Sequence, residues 1–161
     1  MNIGSLVFLV KNGKVLLARK ARGIGKGKWN GYGGRKKGSE PLRKTAVREL
    51  REEAGVTAVE RDLLKVTTAR FFFKKNTEHV NLWTVHVFLC KKWQGEVVET
   101  SEMRDPRWFP IDKLPLEQMM AGDREWLPKI FELNKLCVRV YYGKDTRTVE
   151  SSIWRGQGFR S

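Results

Sequence analysis

The chain is short of cysteine, histidine and negative charge, and it has no long apolar run. Its two cysteines, Cys90 and Cys137, stand far apart in apolar stretches of a 161-residue sequence, which argues against a disulfide framework and predicts buried free thiols in a reducing compartment. The two histidines, His79 in a polar stretch and His86 in an apolar one, have no second His or Cys at ligand spacing, so a surface and a core role are expected in place of a zinc site. Near the start, "SLVFLV" is too short to span a bilayer and lacks both a basic leader and a small-residue cleavage site, so it reads as a strand and the expected location is the cytoplasm. Repeats, low-complexity tracts and linkers are also missing, so one domain over residues 1–161 is expected from the length, and a monomer is the expected state.

The shortage of acid is the most informative. Lys and Arg number 32 against 18 Asp and Glu, a formal net charge of +14, which points to anionic partners: nucleotides, nucleic acids or acidic surfaces. Hydrophobic content of 40% with 11% aromatics supplies a packed core. "IGSLVFLV" and "KVLLARK" flank "KNG", the signature of a hairpin turn. "LLKVTTARFFF" and "VNLWTVHVFLC" read as two further strands separated by the polar "KKNTEH". "DPRWFPIDKLP" is broken by three prolines, "LEQMMAGDREWLPKIFEL" (116–133) has helical periodicity, and "KLCVRVYYGKDTRTVESSIW" reads as a closing hairpin. The order strand, strand, helix, strands, helix, hairpin makes a mixed α/β domain.

Two stretches carry chemistry. The Gly- and Lys-rich "ARGIGKGKWNGYGG" fits neither standard phosphate-loop spacing on Gly23, Gly25, Gly27, Gly31, Gly33 and Gly34, leaving a flexible basic surface loop or a phosphate or base contact near Asn30. Then "AVRELREEAGV" crowds Glu49, Glu52 and Glu53 into five residues. Pro41 fits a first helical position, Ala46, Val47, Leu50 and Ala54 recur at helical spacing, and Gly55 fits a C-terminal cap, so a helix is expected from Pro41 to Ala54. Its three carboxylates fall on one arc beside the apolar stripe. Two readings stay open: a solvated acidic face paired with Arg43, Arg48 and Arg51, or a site for a hard divalent cation.

From Gly34 the chain reads five residues, Glu40, seven residues, then Arg48 to Val56 as "RELREEAGV". This matches G-x5-E-x7-R-E-U-x-E-E-x-G-U, with U apolar, at every fixed position, and the chain resembles a Nudix hydrolase. "RGIGKGKWNGYGG", "VHVF", "SEMR", "WFPIDKLP" and "DREWLP" extend the resemblance over nearly the full chain to the MutT-like branch that hydrolyses oxidised purine nucleoside triphosphates.

The resemblance implies an α/β/α sandwich around a mixed sheet and Mg²⁺ (or Mn²⁺) held by Glu49, Glu52 and Glu53, with Gly33 and Glu102 as additions. Glu53 is the candidate for activating water and Glu102 its rival, while Arg48 and Glu40 would orient the carboxylates. Ser5, Lys20, Asn30, Gly33, Gly34, Asp123 and Trp126 would bind a purine nucleoside triphosphate. Trp126 covers the base or serves the core. The chain departs from that branch at Gly122, where an aspartate adjoins the one matching Asp123, and at Met120, where a tryptophan stands. Two other functions stay open: action on another nucleotide or on RNA 5′ ends, which the positive charge would favour, and a non-catalytic nucleotide-binding module. No membrane partner is expected.

Overall fold

The computed structural model describes residues 1–132 and 135–156. Strand β1 (Asn2–Lys11) alternates its side chains between two cores: Val7 and Leu9 go to one face, Phe8 and Val10 to the other, as the two-residue period of a strand requires. Asn12 and Gly13 then take positive φ of 52° and 72°, the conformation that closes a two-residue hairpin without splaying its strands. Strand β2 (Lys14–Lys20) returns antiparallel, with Val15 opposite Val10.

The rest of the sheet grows around β1. The short β3 (Trp29–Asn30) pairs with β2, and β4 (Tyr32–Arg35) pairs antiparallel with β1. After helix α1 (Leu42–Ala54) come β5 (Leu63–Lys75), β6 (Glu78–Cys90) and β7 (Met103–Pro110). A four-residue helix α2 (Leu127–Ile130) precedes β8 (Leu136–Tyr142) and β9 (Val149–Gly156). Among the described residues the strands run β3-β2-β1-β6-β5-β8-β9, with β4 on β1 and β7 on β2. The β1–β6 and β5–β8 pairs are parallel and the remainder antiparallel, which is the mixed α/β sheet expected.

Helix α1 covers one face, burying Ala46, Leu50 and Ala54 against Val7, Leu9 and Tyr32. Leu50 is fully buried, and its truncation to Ala would cost roughly 2–5 kcal/mol. Pro41 proves to be the residue before the helix, extended at φ −62° and ψ 144°. Gly55 ends the helix at φ 74°, its N–H donating to the Arg51 carbonyl.

The opposite face departs from the expected long helix over 116–133. Its described residues form turns at Leu116–Gln118 and Ala121–Asp123 and then α2; Leu133 lies outside the described residues. Pro128 cannot donate the backbone bond that would join α2 to a preceding turn, and Gly122 disfavours a helix. The second helical layer is therefore thin. Two smaller differences concern strands. The polar "KKNTEH" is almost wholly paired, with Lys75 opposite Glu78 and only Asn76 and Thr77 between them. Proline-bearing Met103–Pro110 is a strand that, among the described residues, pairs with β2 alone, an edge position that tolerates proline. Cys90 is a buried free thiol. No helix among the described residues is long and apolar enough to cross a membrane.

Candidate active site

Arg48 organises the acidic helix. Its guanidinium grips Glu40 with two parallel bonds, Nε to Oε1 at 2.9 Å and Nη2 to Oε2 at 3.0 Å. Nη1 donates to Glu49 Oε1 at 2.7 Å and to Glu52 Oε2 at 3.3 Å. Glu40 is also bonded by the Thr45 hydroxyl and the Lys37 amide; Arg48 chiefly, and then these donors, hold its carboxyl down to about 2. Such a planar fork fixes geometry as well as charge. The other two arginines considered for the acidic face are engaged elsewhere: Arg43 donates to the Glu60 and Leu63 carbonyls and Arg51 to Thr57.

Glu53 stands apart from this network. Its Oε2 accepts from the Gly33 N–H at 3.3 Å. Burial, the largest cause, and the neighbouring charges of Glu49 and Glu52 push its carboxyl up to about 7, against the Gly33 bond and the Lys20 charge. The buried Tyr32 hydroxyl finds no hydrogen-bond partner, and burial together with Glu53 drives it above its ordinary range. Sequence reasoning did not single out Tyr32; its place directly before Gly33 and Gly34 was the only signal. Thr100, also missed, donates its hydroxyl to the Glu53 main-chain carbonyl at 2.8 Å, tying the loop before β7 to the helix end.

The three carboxylates thus divide into two on Arg48 and one on Gly33, and among the described residues no three His, Cys, Asp or Glu side chains gather as a ready metal cage. The donor set still fits a hard cation. All the donors are oxygens, and Glu53 is a half-buried acid with no arginine partner among the described residues, whose ionised form a nearby cation would stabilise. Mg²⁺ keeps several of its waters and needs few protein ligands.

Gly33 and Gly34 join this acidic end to a cleft of about 320 Å³. The seven residues expected to bind substrate, Ser5, Lys20, Asn30, Gly33, Gly34, Asp123 and Trp126, all line it, as do Phe71, Phe73, Trp83, Val85, Met120 and Tyr142. The glycines are required by close approach. A Cβ on Gly33 would meet the Ser5 carbonyl oxygen at 1.9 Å, and one on Gly34 the Glu49 Cδ at 2.5 Å. Ser5 Oγ is buried with no partner, a polar group that a ligand in the cleft can satisfy. Asn30 Oδ1 accepts from the Gly31 amide.

Lys20 connects the two ends electrostatically. Burial lowers its ammonium, and the charges of Glu53 and Asp123 both draw it back up. Asp123 is buried and pushed up to about 7 by desolvation, with Lys20 opposing. Trp126 is 1% exposed in the core, lines the cleft, and donates Nε1–H to the Gly122 carbonyl at 2.8 Å.

The basic loop after β2 is closed by backbone hydrogen bonds. Gly23, Gly25 and Gly27 take φ of 77°, 80° and 81°, and Lys20 bonds across it to Gly27 and Lys28. Gly25 lies against Met120, and Ile24 reaches the cleft. Glu102 does not line the cleft; its side chain pairs with Arg22.

Comparison with known proteins agrees with this arrangement. The NUDIX domain model matches residues 2–130. The chain is 44% identical over 128 residues to the oxidized purine nucleoside triphosphate hydrolase of Danio rerio, spanning 80% of this chain and 78% of that one. It is 36% identical over 133 residues to the Mus musculus protein of the same name, spanning 83% and 81%. In fold it is similar to the MutT protein of Bacillus halodurans, with a TM-score of 0.81 at 24% identity over 96% of this chain and 97% of that one. With the Arg48-centred box set beside a buried cleft and a family model matched from Asn2 to Ile130, the chain belongs to the NUDIX family.

Proposed function

We propose that this chain hydrolyses purine nucleoside triphosphates, oxidised ones such as 8-oxo-dGTP among them, to the monophosphate and pyrophosphate with Mg²⁺ or Mn²⁺ as cofactor. The observation that carries the reading is the junction at Gly33 and Gly34, where a carboxylate-rich helix meets a cleft with aromatic walls and a buried acid, Asp123. Two named relatives act, by their names, on oxidised purine nucleoside triphosphates.

Glu49, Glu52 and Glu53 would hold the divalent ion, with the Gly33 carbonyl assisting. When bound, it supplies charge neutralisation at the phosphates and a template for water. The chain's own residues do the rest. Arg48 and Glu40 hold Glu49 and Glu52 in place, so their charges need no reorganisation during the reaction. Lys20, in reach of both Glu53 and Asp123 by its electrostatics, meets the phosphates. Glu53, kept ionised by the bound cation, is the candidate to take a proton from water. The water oxygen bonds to a phosphorus of the α–β anhydride, the bridging P–O bond breaks, and pyrophosphate and monophosphate separate. Phe71, Phe73 and Trp126 enclose the base, and Asp123 meets its polar edge. Glu102, paired with Arg22, has less claim to the role of base than Glu53.

A screen of oxidised and ordinary nucleoside triphosphates with Mg²⁺, read by pyrophosphate release, tests the reading. Turnover of 8-oxo-dGTP among the best substrates is expected; turnover restricted to capped or triphosphorylated RNA, with binding that falls steeply with salt, would replace it.

A further inference from the structure

Gly122 and Tyr142 lie on different elements, the turn Ala121–Asp123 and strand β8, yet occupy one small volume. A Cβ on Gly122 would stand 2.1 Å from Tyr142 Oη, 3.0 Å from its Cζ and 3.2 Å from Val140 Cγ1. Gly122 does not have positive φ. What demands glycine here is the tyrosine hydroxyl.

The ring is held from both ends. It stacks on Phe73 at 4.9 Å and 8° and lies 6.5 Å from Phe71. It is 4% exposed and shares the cleft wall with Asp123 and Trp126. A main-chain hydrogen bond from Gly122 reaches the hydroxyl, while burial, the largest cause, and the Asp123 charge push the phenol up to about 12. The hydroxyl therefore keeps its proton at any working pH. The Gly122 carbonyl is already taken by Trp126 Nε1.

We propose that Tyr142 is a base-reading residue: its hydroxyl, lodged against Gly122, donates to the 6-oxo oxygen of a guanine-type base whose N1–H and 2-amino group are accepted by Asp123. This rests on the purine triphosphatase reading above. A guanine edge presents acceptor, donor, donor in order, and a phenol beside a carboxylate presents the complementary donor and acceptors. An adenine-type edge, with an amino group at position 6 and an acceptor at N1, opposes an ionised Asp123. Tyr142 acts by contact with the base, whereas Gly122 is a positioning residue that makes room for it.

Tyr142→Phe keeps the ring and its stack and removes only the hydroxyl. The probes are dGTP and 6-thio-dGTP, which share N1–H and the 2-amino group but differ in the strength of the acceptor at position 6. Wild type should use dGTP better by kcat/KM, and Tyr142→Phe should lose about tenfold on dGTP while 6-thio-dGTP changes less than about twofold. Gly122→Ala should lower dGTP turnover in wild type and do markedly less harm in the Tyr142→Phe background, because the clashing oxygen is gone. Thermal midpoints of all four proteins accompany the kinetics. Equal losses on both substrates, or no loss on either, with wild type active on dGTP, would overturn the role of Tyr142 and leave the purine reading intact. A wild type inactive on every purine triphosphate would overturn both.

Discussion

Glu49 rests directly on the backbone of Gly34: a Cβ on that glycine would lie 2.5 Å from Glu49 Cδ and 2.6 Å from each of its oxygens. Gly34→Ala must therefore push the carboxyl off its place beside Arg48 Nη1, 2.7 Å away. The expected result is a kcat lower by roughly tenfold or more, in line with misplacing a preorganised charge. Steady-state turnover of the variant at saturating Mg²⁺ checks it, with a circular dichroism spectrum showing the fold retained.

Arg48→Lys tests the fork. Lysine keeps the charge but cannot make the two parallel bonds to Glu40 while reaching Glu49 and Glu52. Turnover should fall with KM for the nucleotide little changed, because the arginine orients carboxylates and does not touch the base. A wild-type kcat in this variant would show that charge alone suffices.

Glu53→Gln should lower kcat on the order of a hundredfold. The same change should stabilise the metal-free protein at alkaline pH. A glutamate carboxyl ordinarily titrates at 4.5, and that of Glu53 rises to about 7 in the fold, so between those values the folded state holds more protons than the unfolded one. Stability consequently falls as pH rises through that window and levels off above it. Glutamine abolishes this part of the decline, leaving the variant more stable at pH 8 by roughly 1 to 3 kcal/mol. Urea unfolding in EDTA at pH 5 and pH 8 measures it; the advantage should be present at pH 8 and small at pH 5.

Asp123 makes base choice depend on pH. Its carboxyl is raised to about 7 by burial, so it is an acceptor above that pH and carries a proton to donate below it. The ratio of kcat/KM for 8-oxo-dGTP to that for 2-hydroxy-dATP should rise as pH passes from 6 to 8, and taking the ratio cancels titrations at the acidic end of the site. Asp123→Asn should flatten the ratio and cost roughly 1 to 3 kcal/mol in kcat/KM for 8-oxo-dGTP.

Much of this site was legible before any coordinates, because it is built from local patterns. Apolar spacing and Gly55 specified the helix and its cap, and the four-residue separation of Arg48 and Glu52 made that pair neighbours, whereas Glu40, eight residues from Arg48, was given its role by the resemblance alone. The Asn12–Gly13 hairpin was legible from a local pattern too. What was hidden depends on contacts distant in sequence. Tyr142 on β8 meets Gly122 in the turn Ala121–Asp123, and Lys20 reaches both Glu53 and Asp123. Neither pairing leaves a periodic trace. The supposed helix over 116–133 misled because apolar spacing outweighed Gly122 and Pro128 in the reading, whereas in the chain a missing N–H and a flexible backbone decide. Nor does spacing reveal the burial that raises the Asp123 carboxyl.

The central claim is that the Arg48-organised carboxylates and the cleft form one catalytic site. It is tested most directly by following purified protein with 8-oxo-dGTP and Mg²⁺ by ³¹P NMR. The account predicts equal amounts of monophosphate and pyrophosphate, a reaction stopped by EDTA, and near-total loss in Glu53→Gln. Release of orthophosphate with accumulation of the diphosphate, or undiminished hydrolysis by Glu53→Gln, would contradict it.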